Sequence, residues 1–236
     1  MKRLSTGVEG LDNIIQGGYP ENRVIVISGS PGSGKTTVSM QFLIAGAMAN
    51  EQGMFITTLE NPRTVIENMS RYSLNLQSFI KDKSIIFVDM GPNIEAFQGS
   101  STSIVPTSSF VINKITEYVK KWKITRLGID SSSVIKYSTT GKISEQKELG
   151  KFIRKLKDLG CTTILISELS KSEAYSMEHF LSHGVIFMHN FLFGDSMVRS
   201  IQIIKMSGTK HDCDMHVIKF TKKGVLLTGK KVLLDV

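Results

Sequence analysis

Short apolar runs alternate with amphipathic stretches along most of this chain, and the alternation predicts its architecture. Val24-Ile25-Val26-Ile27, Met54–Thr58, Ser84–Val88, Leu127–Asp130, Cys161–Ile166 and Gly184–His189 are dominated by consecutive apolar residues rather than by alternating polar ones. Strands buried on both faces, as in a parallel sheet, read this way. Between them lie segments with apolar residues at helical spacing. Val38, Phe42, Leu43 and Ala45 mark a helix over 37–48, and Ile66, Met69 and Tyr72 a second one, opened by Asn61-Pro62, where proline suits the first turn. Val111, Ile115, Val119 and Trp122 give a third. Leu149, Phe152, Ile153 and Leu156 give a fourth, with Gly160 placed to cap its end. Later in the chain the pattern changes. Val198–Lys205, Met215–Phe220 and Gly224–Leu227 read as antiparallel strands joined by turns. Residues 91–108 and 131–143 are polar and aperiodic, and loops of that length are usually functional or disordered. The sum is an α/β fold: a mostly parallel sheet flanked by helices, with C-terminal antiparallel strands extending one edge. At 236 residues the chain suits one domain, 1–236, with no tandem repeat, coiled coil or linker.

The chemistry sits between the first buried strand and the first helix. Residues 29–36 read Gly-Ser-Pro-Gly-Ser-Gly-Lys-Thr, a complete G-x-x-x-x-G-K-[ST] phosphate-binding loop in its required strand–loop–helix setting. Its glycines let the backbone approach oxygen atoms, and the N–H groups of Ser30, Pro31-Gly32, Ser33, Gly34, Lys35, Thr36 and Thr37 (proline excepted) can cradle phosphates at a helix N-terminus. Lys35 can reach the β- and γ-phosphates, and the Thr36 hydroxyl can ligate Mg²⁺. ATP and Mg²⁺ are therefore the expected ligands. No credible N-K-x-D segment argues for guanine. An acid is needed near the metal at the end of a neighbouring strand, and Asp130 fits. Glu60, after Thr57-Thr58-Leu59, is placed to act as general base, on a strand expected beside the P-loop strand or one further along. Ser167-Glu168 ends another strand, where a hydroxyl and an acid could sense the γ-phosphate.

Charge and composition add less. The net charge is +8, and the segment 114–157, with twelve Lys/Arg against four acids, accounts for all of it. A basic patch can bind a polyanion, but a lysine-rich solvated face is the more economical reading. Cys161 and Cys213 show no metal or redox spacing and fit a reducing cytoplasm. The apolar run near Phe42–Ala49 is far below a membrane span, and Met1–Thr6 leads into glycine and acidic residues rather than a signal-peptide core. His179 and His183 stand i, i+4, yet no third ligand has a convincing spacing, so structural roles are expected.

Several segments together resemble a known family. Ser5-Thr6-Gly7-Val8 with Leu11-Asp12, Gly17-Gly18 with Pro20, the P-loop, Leu59-Glu60-Asn61-Pro62, Arg126–Ser131, Leu156–Ser167 and Ile204–His211 are similar to a KaiC-like domain of the RecA/RadA superfamily, over nearly the whole chain. The resemblance implies a RecA-like core and ATP bound between subunits of a homo-oligomer, usually a hexamer. One protomer would supply the P-loop, Glu60 and Asp130. Its neighbour would supply Lys205, with Thr209 and His211 near the nucleotide. Two positions depart from the family pattern. Ser207 stands where arginine is common and cannot offer its permanently charged fork. Leu59 stands where the first of two carboxylates is common. Both imply slow hydrolysis. The clock role and autokinase activity of two-domain KaiC do not carry over. The alternatives are a hydrolysis-deficient switch for a protein partner, like the KaiC-like archaellum component, or a RadA-paralogue-like DNA binder using segment 114–157 and the serine-rich loops at 97–109 and 131–144.

Overall fold

The computed structural model of the protein describes residues 1–91, 108–133, 135, 141–168 and 175–232. The chain opens with β1 (Arg3–Leu4) and β2 (Tyr19–Pro20), a small antiparallel pair flanking helix α1 (Leu11–Ile14). Then come β3 (Val24–Gly29), α2 (Lys35–Met48), β4 (Gly53–Thr57), α3 (Pro62–Ser70), α4 (Leu76–Lys81) and β5 (Ile85–Asp89). After these run α5 (Ser108–Trp122), β6 (Arg126–Asp130), α6 (Lys142–Lys157), β7 (Thr162–Glu168) and α7 (Met177–Leu181). The last elements are β8 (Gly184–Phe193), β9 (Ser196–Met206), β10 (His216–Thr221) and β11 (Gly224–Lys231). Nine strands form one sheet in the order β11-β10-β9-β8-β3-β7-β6-β4-β5. From β8 to β5 neighbours are parallel; from β8 to β11 they are antiparallel. This is the expected α/β fold with its antiparallel edge.

Each central strand feeds two cores. Ile25 and Ile27 of β3 pack toward α2 with Phe42, Leu43 and Phe55, while Val24 and Val26 pack toward α5 and α6 with Val111, Ile115, Phe152 and Leu156. All four β3 side chains are fully buried, each stabilising the fold by about 1.5–3 kcal/mol. Two-sided burial is why these strands carry no polar alternation.

Helix α2 is covered on most sides. The N-terminal segment and β11 close over it, and Gln41 is satisfied there: its amide donates to the carbonyls of Gly7 at 2.9 Å and Val225 at 3.1 Å and accepts from Val225 N–H at 2.8 Å. Gly7 permits the approach, since a Cβ there would lie 2.3 Å from the Gln41 carbonyl oxygen.

Several expectations need correction. The strand leading to Glu60, β4, is neither beside β3 nor one further along; β7 and β6 both intervene. Gly160 does not cap α6, which ends at Lys157 with Asp158 as its cap; at φ 72° it forms the turn into β7. Arg126, counted with the basic face, is 2 % exposed. Its guanidinium pairs with Glu51, donates to the Ser5 and Phe42 carbonyls at 2.8 Å each, and lies over the Phe42 ring. Trp122 ends α5, as its spacing with Val111, Ile115 and Val119 predicts, and is 37 % exposed. The pairs β1–β2 and the short helices α1, α4 and α7 carried no readable period. The loops expected at 91–108 and 97–109 lie largely outside the described residues, as do residues 134 and 136–140, Lys136 among them, of the loop expected at 131–143; α6 already begins at Lys142 within that expected loop.

Candidate functional site

The sheet register assembles the site. Gly29 at the end of β3 pairs with Glu168 of β7, Asp130 of β6 with Ile166 of β7, and Thr57 of β4 with Asp130. The P-loop, two acids and the root of the β4–α3 connection therefore share one rim, the carboxyl end of the parallel strands, where such sheets bind ligands. The P-loop is braced from within and from outside. Ser33 donates to the Ser30 carbonyl at 2.8 Å, and Arg199 of β9 donates to the Gly32 carbonyl at 3.2 Å while stacking on Phe220. Gly34, at φ 104°, passes beneath Phe220; a Cβ there would meet that ring at 2.6 Å.

Lys35 opens α2 and turns back over the loop, its ammonium donating to the Gly29 and Ser30 carbonyls at 2.8 and 2.9 Å. Burial lowers its pKa, while Asp130 and Glu168 oppose that shift. Thr36 donates its hydroxyl to Asp130 at 2.7 Å. Burial raises the Asp130 pKa, the Thr36 hydrogen bond and Lys35 act against it, and Glu168 adds to it. The Asp130 backbone is clasped to β4: Thr58 N–H donates to its carbonyl at 2.8 Å, and the Thr58 hydroxyl accepts from Ser131 N–H at 3.0 Å. Two residues further on is Glu60, whose carboxyl pKa burial raises first and the Asp130 charge second. Asn61 then caps α3 by accepting from Arg63 N–H at 2.9 Å, with Pro62 in the first turn as its type suggests.

Two cavities meet at Lys35, Thr36, Glu60 and Val65. One, of about 290 Å³, runs from the P-loop to Asn68, Tyr72 and Phe220. The other, of about 200 Å³, runs to Asp130, Ser131 and Glu168. A phosphate chain on the loop would thus have an aromatic recess on one side and a carboxylate recess on the other. The carboxylate recess fits Mg²⁺. Its donors are oxygens, a hydroxyl and a carboxylate already within hydrogen-bond reach, and Mg²⁺ takes few protein ligands, completing its shell with water and phosphate. Among the described residues no group of three or more His, Cys, Asp or Glu side chains could hold a metal unaided.

The remaining expected site residues lie elsewhere. Lys205 pairs across β8–β9 with Val185, whereas Ile201 pairs with Met188, the β8 partner of Gly29. Lys205 is therefore at the opposite rim of the sheet from the P-loop of its own chain. It donates to the Phe180 and Ser182 carbonyls at 3.0 and 2.7 Å. Thr209 accepts from Arg3 at 2.6 Å, and His211 Nδ1 stands 3.6 Å from Cys213 Sγ. Ser167 faces away from the cavity and donates to buried Glu178 at 2.6 Å, so of the Ser167-Glu168 pair only Glu168 lines the site. His179 belongs to α7, accepts at Nδ1 from Ser176 N–H and bonds Ser28 through Nε2 at 2.6 Å; His183 lies past the helix and accepts from Val24 N–H at 3.1 Å. Sequence reading missed Thr58, Tyr72, Phe220 and Arg199. Tyr72 counted only as a helix-face residue, and Phe220 and Arg199 come from strands far away in sequence.

Comparison with known proteins identifies the family and the fold. The family model described as "ATPase: KaiC" matches residues 4–232. The circadian clock oscillator protein KaiC of Thermostichus vulcanus is 32% identical over 216 residues, covering 89% of this chain and 41% of that protein. The protein of the same name from a Nostoc species is 31% identical over 232 residues, covering 95% of this chain and 44% of that one. The chain thus spans less than half the length of these relatives. A crystal structure of the KaiC-like protein PH0186 from Pyrococcus horikoshii OT3 superposes with a TM-score of 0.81 at 28% identity, covering 96% of this chain and 98% of that one.

Proposed function

The chain belongs to the KaiC family of ATPases, and from that premise we propose that it binds Mg-ATP at the P-loop and hydrolyses it slowly, as a nucleotide-dependent oligomer or switch. The observation that carries this reading is the Thr36–Asp130 hydrogen bond of 2.7 Å, made beside Lys35 and on the cavity that Glu60 also lines. In this reading Ser30 to Thr37 hold the phosphates and Lys35 neutralises them. The recess between Tyr72 and Phe220 takes the base. Thr36 and Asp130 hold Mg²⁺, which supplies charge neutralisation at the phosphate oxygens. Glu60 accepts a proton from water as the water oxygen bonds to the γ-phosphorus and the bond to the β-phosphate oxygen breaks, giving ADP and phosphate.

Lys205, with Thr209 and His211, acts in this proposal on the nucleotide of a second copy, in a ring that the family resemblance makes hexameric. Its position at the rim opposite its own P-loop supports that assignment. Ser207, exposed just past β9, offers no guanidinium at that position, and Leu59, 63 % exposed, leaves Glu60 without a carboxylate neighbour in sequence. An arginine supplied in trans is worth about 10³–10⁵ in rate in other P-loop enzymes, so turnover is slow. We place the protein in the cytoplasm; among the described residues no helix is long and apolar enough to cross a membrane.

Phosphate release from saturating Mg-ATP, with Lys35→Ala as control, tests the reading. Turnover that survives in the control would refute it. Tight ATP binding without turnover would favour the second reading, a binding switch for a protein partner, for which Ser207 is the specific observation. The DNA-binding alternative is weaker on this structure. Arg126 is in the core, and Lys114 and Lys151 are paired with Glu117 and Glu148.

A further inference from the structure

Lys205 has cationic company. Along the amino-end rim of the sheet Ser207 N–H donates to the His183 carbonyl at 2.8 Å, His183 N–H to the Val24 carbonyl at 2.9 Å, and Thr163 N–H to the Arg23 carbonyl at 2.9 Å. That ladder places Arg23 just ahead of β3, His183 just ahead of β8 and Ser207 just past β9 along one rim. Lys157, at the end of α6 and close ahead of β7, comes within electrostatic range of both His183 and Lys205. His183 is held neutral: burial first, then Lys157, Arg23 and Lys205, bring its pKa down to about 4. Burial and then Lys157 lower the Lys205 pKa. Among the described residues no salt bridge involves Arg23, Lys157 or Lys205.

Half-exposed cations on one rim, none of them in an ion pair among the described residues, repel one another, and an arriving anion relieves that repulsion. Their own P-loop lies at the other rim, beyond their reach. We propose that Arg23 and Lys157 join Lys205 in a composite cationic rim that engages the nucleotide phosphates held at the P-loop of a second copy of this chain. The rim supplies diffuse positive charge where Ser207 cannot supply a guanidinium. This rests on the trans assignment of Lys205 made above. Lysine and arginine beside the direct contact act chiefly by potential, so the effect is graded.

The test uses the full chain and a fluorescent, slowly hydrolysed Mg-ATP analogue, at protein concentrations above and below self-association as followed by sedimentation. Wild type is expected to bind the analogue more tightly when assembled. The Arg23→Ala/Lys157→Ala variant should lose about tenfold of affinity in the assembled state, the scale of one or two screened cations, and none in the dilute state. Addition of Lys35→Ala protomers, whose rims are intact and whose own sites are dead, should restore tight binding to the double variant. Equal affinity of wild type and double variant, with weakening in Lys205→Ala, would overturn the composite rim and leave the trans lysine standing. No effect in either variant, or no self-association, would overturn both. Retained analogue affinity with lost binding of single-stranded DNA would assign the rim to nucleic acid and overturn the proposal.

Discussion

Glu60→Gln separates the two readings of this site most sharply. The side chain is exposed and lines both cavities, and Gln keeps its size while removing its ability to accept a proton. Loss of a general base costs about 10²–10⁴-fold in rate, equivalent to about 2.7–5.4 kcal/mol of barrier. Nucleotide affinity should hold or tighten slightly, because one negative charge near the phosphates is lost and solvent screens it. The pH profile sharpens the prediction. Burial and Asp130 hold the Glu60 pKa above the ordinary carboxylate range. A base works only when deprotonated, so wild-type turnover should fall as pH drops through that raised pKa, at a higher pH than a free glutamate would give. The assay is steady-state phosphate release from pH 4.5 to 8, beside titration with a fluorescent ATP analogue. Turnover within twofold of wild type, or an acid limb that survives the substitution, would sink the assignment of Glu60 as base.

Other substitutions probe the rest of the frame. Asp130→Asn should weaken Mg²⁺-dependent ATP binding yet raise the melting temperature near pH 7. Burial makes the folded carboxylate costly to ionise, so the protonated group's contribution is full below the unfolded pKa and is lost as pH rises from there through the raised folded pKa, and the gap should close toward pH 4 in melting curves. Arg126→Ala removes a buried ion pair and two hydrogen bonds to carbonyls; a loss of about 3 kcal/mol, or roughly 6–12 °C in melting temperature, is expected by calorimetry. A variant as stable as wild type would contradict that structural role. Gly34→Ala forces a side chain into φ 104° against Phe220 and should abolish analogue binding at a stability cost of about 1–3 kcal/mol, read by titration and thermal melting together.

Much of this was legible from short-range pattern. Unbroken apolar runs such as Val24–Ile27 marked strands buried on both faces, because a parallel sheet covered by helices tolerates no polar alternation. The P-loop was readable because its chemistry is local: eight consecutive residues hold the glycines, the lysine and the threonine. Asp130 was readable as an acid closing an apolar strand. Helices α4 and α7 were not, since elements of six and five residues are too short to show a period. Arg126 looked like surface charge, and only the packing of α2 and the N-terminal segment around it made it core.

The sequence by itself determined the α/β class, the antiparallel tail and the identity of the phosphate loop, for these depend on residues within a few positions of one another. Strand order was decided in tertiary structure. It inserted β7 and β6 between the P-loop strand and the strand leading to Glu60, and register alone set Glu168 beside Gly29. Three-dimensional packing also brought Tyr72 and Phe220 to one recess and sent Lys205 to the far rim of the sheet. Side chains separated by a hundred residues or more meet only through the pairing of strands, and no local period in the chain encodes which strands will pair.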